Sequence, residues 1–298
     1  MKQATVNRSA AAQKPIKAPS QTREALKIFF RNKSAVLGTV IFLAILFITL
    51  FGPYFMDGDP FDVAGIPMTK PGHENNWLGT DYLGRDVWAG LVHGGRATLA
   101  VGFVAAMLSV FIGVLFGALS GFYGGWVDEG LMRTTEFFQV LPSLLFAMVL
   151  VTLFEPTIWT IAFAIGLVSW TNTARLARSE FLRLRQLDYV MAERTIGATN
   201  ARIIWRVILP NAVAPLIVSA TLAVGAAVLF EAGLSFLGLG DPNKMSWGLM
   251  IGNNRPYILV NWWAVTLPGV AIFLTVLSIS LIGDGLNDAL NPRLRDRS

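Results

Sequence analysis

The stretch DYVMAERTIGATNARIIWRVILPN, Asp188 to Asn211, interrupts a very apolar chain with two short amphipathic pieces. Asp188 reads as the N-cap of a short helix, since an aspartate there accepts from an orphaned amide. Tyr189, Ala192, Glu193 and Ile196 then share one face. Gly197 offers the left-handed backbone that ends a helix. Thr199 or Asn200 can cap the next piece, whose apolar side is Ile203, Ile204, Val207 and Ile208, and Pro210 is expected to stop it. A basic run, RLARSEFLRLRQ from Arg175 to Gln186, comes just before. A helix, elbow and helix projecting from a membrane would suit docking into a groove on a soluble partner. The same pattern also suits an amphipathic loop lying on lipid.

The membrane itself follows from composition. Only 14% of the 298 residues are charged and 54% are hydrophobic, whereas a soluble domain carries about 25% charged residues. The net charge of +5 does not suggest nucleic acid, because the basic residues cluster at the ends of apolar runs, as at cytoplasmic membrane edges. With no cysteine, disulfides, thiolate metal sites and cysteine nucleophiles are excluded. His73 and His93 are too few and too far apart to read as a metal site. No GxxxxGK[ST] phosphate loop occurs, so the chain should not hydrolyse ATP by itself. HExxH and GxSxG are missing as well. The chain reads as no enzyme, with no cofactor.

A membrane helix needs about 20 mostly apolar residues. Six segments qualify or nearly do: Ala35 to Phe55, Ala97 to Leu119, Phe137 to Phe154, Thr157 to Trp170, Ala212 to Leu237 and Trp262 to Ile282. Only Glu155 and Pro156 separate the third from the fourth, which predicts a tight hairpin. Alternate connecting segments, counted from the N terminus, hold nineteen Lys and Arg against five in the others. The positive-inside rule therefore puts both termini and the 171–211 segment in the cytoplasm. The division is a tail with a surface helix (1–34), a first span (35–55), an external loop (56–96), a five-helix core (97–282) containing the 171–211 loop, and a C-terminal tail (283–298). Residues 1–34 are polar and basic with no apolar core, unlike a cleaved signal peptide. Up to Ser20 they read as disordered, and Gln21 to Lys33 suits a helix on the membrane surface.

Gly113, Gly117 and Gly121 recur at spacing four, which lets another helix backbone approach closely, from this subunit or another. Pro142, Pro215 and Pro268 lie within spans and predict bent helices. The external loop is acidic, with Asp57, Asp59, Asp62, Glu74, Asp81 and Asp86. Its spacing fits a solvated, turn-rich cap better than a calcium loop. Glu231 alone sits well inside an apolar run. It is either a functional intramembrane carboxylate or a helix-end residue near the outer interface. One carboxylate makes a poor ion path, which weakens an ion-coupled secondary transporter.

The opening stretch resembles the EAA loop of ABC importer permeases: EAA, three residues, Gly, nine residues, then I-x-L-P. Gly197 takes the glycine, Val207 the isoleucine, and Leu209 and Pro210 the final pair. Ala192 matches the first alanine, while Met191 replaces the glutamate and Glu193 the second alanine. LGTDYLGRD (Leu78 to Asp86), EAGLSFLGLG (Glu231 to Gly240), WGLM (Trp247 to Met250) and GDGLNDALNP (Gly283 to Pro292) are together similar to the dipeptide and oligopeptide permease subunit, the DppC/OppC kind. The resemblance runs from about Leu26 to Pro292. It implies an all-α integral membrane protein of six transmembrane helices, the type I ABC importer permease fold, in a bacterial inner membrane. Its implied partners are two ATP-binding subunits, a second homologous permease subunit and an external substrate-binding protein. It assigns coupling to the ATPase to Tyr189, Ala192, Glu193, Gly197, Ala198, Leu209 and Pro210. Cargo by this resemblance is short peptides, with nickel or glutathione as the alternative.

Overall fold

The computed structural model describes residues 21–56, 58–73 and 76–290. The tail read as disordered, and Asp57, Glu74 and the residues after Leu290, lie outside them. In chain order the helices are α1 (Gln21–Arg31), α2 (Lys33–Phe51), α3 (Val87–Tyr123), α4 (Gly125–Val140), α5 (Ser143–Leu153), α6 (Ile158–Leu184), α7 (Asp188–Thr195), α8 (Asn200–Arg202), α9 (Leu209–Leu234), α10 (Trp247–Asn254) and α11 (Trp263–Leu290). Among the described residues the extended backbone amounts to isolated bridges in the 56–86 loop.

Among the described residues, four helical runs are long and apolar enough to cross a membrane: Lys33–Phe55, Val87–Tyr123, Asn200–Leu239 and Trp263–Leu290. The protein is multi-pass. The predicted span from Phe137 to Phe154 is not one helix: α4 and α5 meet at 87°. Pro142 has no amide hydrogen, and it drives Leu141 out of the helical region to φ −68°, ψ 131°, as a residue before proline prefers. α6 is long enough, at 27 residues or about 40 Å. Its second half carries Arg175, Arg178 and Arg183, so it extends well past Trp170 into the segment read as a loop.

α3 also exceeds its predicted bounds, starting at Val87 instead of Ala97. Glycines hid the extra turns. Gly90, Gly94 and Gly95 lower the hydropathy, yet they let α3 lie against Met250, Trp247 and Thr49. Asp86 caps this helix by accepting from Trp88 N–H at 2.9 Å. Arg96 reaches the last carbonyls of α2, donating to Thr49 O at 2.9 Å and to Leu50 O, where a cation meets the negative end of the peptide dipoles.

The core rests on α3 against α6. A Cβ at Gly113 would lie 2.6 Å from Thr173 Cβ, and one at Gly121 2.7 Å from Phe181 Cβ. One at Gly117 would collide with the Ala174 carbonyl. The spacing-four glycines therefore pack within this subunit. The expected hairpin between α5 and α6 is present, with Thr157 capping α6 by accepting from Thr160 N–H at 3.2 Å. α1 lies against α11, with Phe29 beside Gly285 and Asn32 Nδ2 donating to Asp288 Oδ2 at 3.1 Å. Leu26 and Phe30 remain exposed, as a helix resting on a lipid surface requires.

The 56–86 loop is turn-rich, but its carboxylates are not all solvated. Asp81 is buried and accepts from Leu83 N–H at 2.8 Å and Arg85 N–H at 2.9 Å. Burial pushes its carboxyl above the usual carboxylate range. Asp59 accepts from Phe61 N–H at 2.9 Å. These carboxylates close turns.

Candidate functional site

α7 stands at the end of the bundle opposite the 56–86 loop, and its stop is built from backbone. Gly197 N–H donates to Arg194 O and Ala198 N–H to Glu193 O, both at 3.0 Å. Gly197 has φ +83°, the left-handed conformation that this double closure needs. Thr199 accepts from Arg202 N–H at 3.4 Å and caps α8. Two expectations fail. Leu187, with no side-chain bond, occupies the N-cap position; Asp188 is the first helical residue, where its charge meets the dipole instead. Nor does Pro210 stop the second piece. A π-helical stretch, Ile203–Ile208, carries it straight into α9. The wider turn accommodates a residue that can neither donate nor let the carbonyl four back approach.

The inner side of α7 is anchored. Val190 is fully buried with Phe122, Phe181, Leu184, Ile203 and Ile208, and Ala198 and Leu209 pack against this cluster. Arg194 lies over the Phe122 ring at 5.3 Å. The outer side is bare: Tyr189 is 39% exposed, Met191 56% and Ile196 75%. Ala192 is exposed between them, and Glu193 is half-buried. Tyr189, Met191 and Ile196 thus leave an uncovered apolar side on α7.

Direct contacts connect this end to the interior. Arg185 donates to Phe122 O at 3.1 Å. Arg178 grips Asp128 of α4 through two bonds of 2.6 and 2.7 Å, and Ser120 Oγ donates to the same carboxylate. At the far end of α4, Gln139 Oε1 accepts from Arg175 at 3.1 Å. Gln139 borders a partly open cavity of about 440 Å³ lined by α3, α6, α9 and the α4–α5 bend. Its lining includes Ser109, Ser169, Asn172 and Ser219 and no charged residue. Sequence reading missed this strip, because SWTNT (Ser169 to Thr173) looked like the end of a span. The available signal was Ser169 and Asn172, three apart on one helical face.

Glu231 is 2% exposed and accepts from Ser235 Oγ at 2.7 Å. It is not among the residues lining the cavity. Around it α9 meets α10, whose Gly248 approaches Ala232 and Ser235.

Residues 113–296, which contain α7, the Gly197 stop and most of the cavity wall, match the family described as "Binding-protein-dependent transport system inner membrane component". The chain belongs to this family of transport permeases. Residues 20–76 of the permease match a second description, "N-terminal TM domain of oligopeptide transport permease C". The permease is 36% identical to the oligopeptide transport system permease protein OppC of Bacillus subtilis, over 94% of its own chain and 92% of that protein. It is 40% identical to the di/tripeptide transport system permease protein DppC of Pseudomonas aeruginosa, over 93% and 94%. Among solved structures, a chain of the MetNI methionine ABC transporter in an inward-facing conformation superposes with a TM-score of 0.53. That match has 21% identity and covers 68% of the permease and 96% of the other chain. The permease thus shares the ABC importer permease fold.

Proposed function

We propose that the chain is one of two unlike membrane halves of an ATP-driven importer of di- and oligopeptides. In this reading it crosses the membrane six times, the bent α4–α5 pair and α6 each counting as one span, with both termini and α7 in the cytoplasm. An external binding protein delivers cargo. Two ATP-binding subunits drive the cycle, and α7 seats in a cleft of one of them. Closure of the ATPase pair pushes α7, and the contacts through Phe122 and the Asp128–Arg178 clamp carry the push to α4 and the cavity. ATP hydrolysis belongs to the partners, since this chain has no phosphate-binding loop.

The observation that carries this reading is α7 itself. Its exposed Tyr189, Met191 and Ile196 sit on a backbone fastened by Val190 and closed at Gly197. A loop resting on lipid would not need that closure. An ion-coupled transporter is disfavoured because Glu231, the carboxylate within the apolar run of α9, lies off the cavity. Peptide cargo is supported by the names of relatives 36–40% identical over nearly the whole chain.

Two experiments test the reading. Because the chain has no cysteine, Val63→Cys and Ala201→Cys can each be labelled without background from this subunit. An impermeant maleimide applied to intact cells should modify position 63 and spare 201; the reverse pattern overturns the orientation. For cargo, a strain deleted for this gene and carrying it on a plasmid is given an essential amino acid only as di- or tripeptides. Growth should require the gene. Unchanged growth, together with loss of nickel or glutathione uptake, would transfer the cargo assignment to that solute.

A further inference from the structure

Arg96 is held in place but not neutralised. Its Nε donates to Thr49 O at 2.9 Å and its Nη2 to Leu50 O, and the guanidinium lies over the Tyr54 ring at 5.3 Å. These contacts fix the group at the last turn of α2. Among the described residues it has no carboxylate partner. Arg96 borders a partly open hollow of about 650 Å³, lined also by Asp59, Trp159 and Lys244. Lys244 is exposed and, among the described residues, forms no ion pair either. Its turn is pinned to the start of α6, because Asp241 accepts from Asn243 N–H at 2.9 Å and from Ile158 N–H at 3.1 Å. Arg96 and Lys244 thus stand against one lining carboxylate, Asp59, which already accepts from Phe61 N–H at 2.9 Å.

The surface that continues from the hollow narrows the ligand. Arg96, Ala100, Phe103, Met107 and Phe111 recur at spacings of three and four, on one face of α3. Phe103 is 58% exposed, Met107 55% and Phe111 67%, so an apolar strip runs from the hollow into the span. Ala105, on the far face of α3, borders the inner cavity instead. Trp159 and Tyr54 are exposed beside the hollow, as aromatic side chains with a polar edge are at the rim of a bilayer. A cationic seat at the rim, continued by apolar wall toward the bilayer centre, fits a phosphate that carries an acyl chain.

We infer that the hollow holds the phosphate of an anionic phospholipid, bound by Arg96 and Lys244, with an acyl chain laid along Phe103, Met107 and Phe111. Arginine and lysine both bind phosphate oxygens, arginine through its planar fork, and the excess positive charge favours an anionic lipid over a zwitterionic one. Bound there, the lipid ties the end of α2, the start of α6 and the turn after α9 to α3. The site goes beyond the importer reading; only its leaflet, the outer one, rests on the orientation proposed above.

The test uses the complete importer in phosphatidylcholine vesicles containing a minor share of phosphatidylglycerol. Met107 replaced by photoactivatable benzoylphenylalanine reports what lies on the strip. The same replacement of Phe47, exposed on α2, reports bulk lipid, and adducts are identified by mass. Position 107 should capture phosphatidylglycerol more than about tenfold above its share, since each basic group at a membrane surface is worth about fivefold; position 47 should capture it in proportion. Lys244→Gln, at an exposed side chain, should lower the enrichment about fivefold. Equal proportions at the two positions overturn the proposal, as does an enrichment that Lys244→Gln leaves unchanged. A protein adduct at position 107 would give the strip to a subunit interface, and loss of the lipid adduct on adding inorganic phosphate would mark a free-anion site; either result also overturns it. Failure of the importer to take up peptide would sink the importer reading and leave this site standing. Reversed labelling at positions 63 and 201 would move the site to the inner leaflet.

Discussion

Replacing Gly197 with valine is expected to abolish transport, and stimulation of the ATPase with it, while the chain still inserts in the membrane. The cause is confined to one backbone position. Gly197 sits at φ +83°, where an L residue pays roughly 1–2 kcal/mol and a β-branched one more. A Cβ there would meet no neighbouring atom within 4 Å, so crowding contributes nothing. To escape the strain the backbone must give up the two bonds to Arg194 and Glu193 and re-aim α7. The hydrophobic helices are untouched, so expression and detergent extraction should match the unmodified protein. Gly197→Asn is the discriminating control, because asparagine tolerates the left-handed region, and it should keep substantial transport. Normal peptide uptake by Gly197→Val, measured in the assembled importer, would remove this turn from the coupling mechanism.

Gly117→Leu is expected to remove folded protein altogether. Here the backbone is ordinary helix, and the problem is the neighbour. A Cβ at Gly117 would collide with the Ala174 carbonyl and come within 2.6 Å of Ala177 Cβ. A carbonyl inside a helix cannot swing away without losing its own bond, so α3 and α6 must separate along Gly113, Gly117 and Gly121. Overpacking a core costs about 1–3 kcal/mol when side chains can adjust; against a backbone atom the loss should exceed that. Gly117→Ala should already lower the thermal midpoint of the purified protein. Gly269→Leu in α11, where a Cβ meets nothing within 4 Å, should leave it close to that of the unmodified chain. Equal yields and midpoints for Gly117→Leu and Gly269→Leu would mean that α3 does not pack on α6 as described.

These two glycines also show what could be read in advance. Gly197 was legible because the signal is local: an amphipathic turn ends, a glycine follows, and a threonine caps the next piece. The glycine repeat of α3 announced close approach, but not whose backbone it approached. Asp188 and Pro210 misled for a related reason. Each has a strong local preference, to cap or to break a helix, and in both cases the neighbouring backbone absorbed it, through Leu187 and through the π-helical stretch of Ile203–Ile208.

By itself the sequence determined a multi-pass helical membrane protein, the family, the helical hairpin at Glu155–Pro156 and the left-handed stop at Gly197. Each of these depends on hydropathy over a span or on the φ and ψ of single residues, quantities carried by adjacent positions. Packing between helices, by contrast, set the start of α3 at Val87 and carried α6 on to Leu184. It alone brought Ser109, Gln139 and Asn172, from three helices, to one uncharged cavity, and joined Asp128 to Arg178 across 50 residues. Those features depend on which helix faces lie together, and in a membrane the apolar pattern that marks buried faces in water is almost silent, because lipid and protein interior are equally oily.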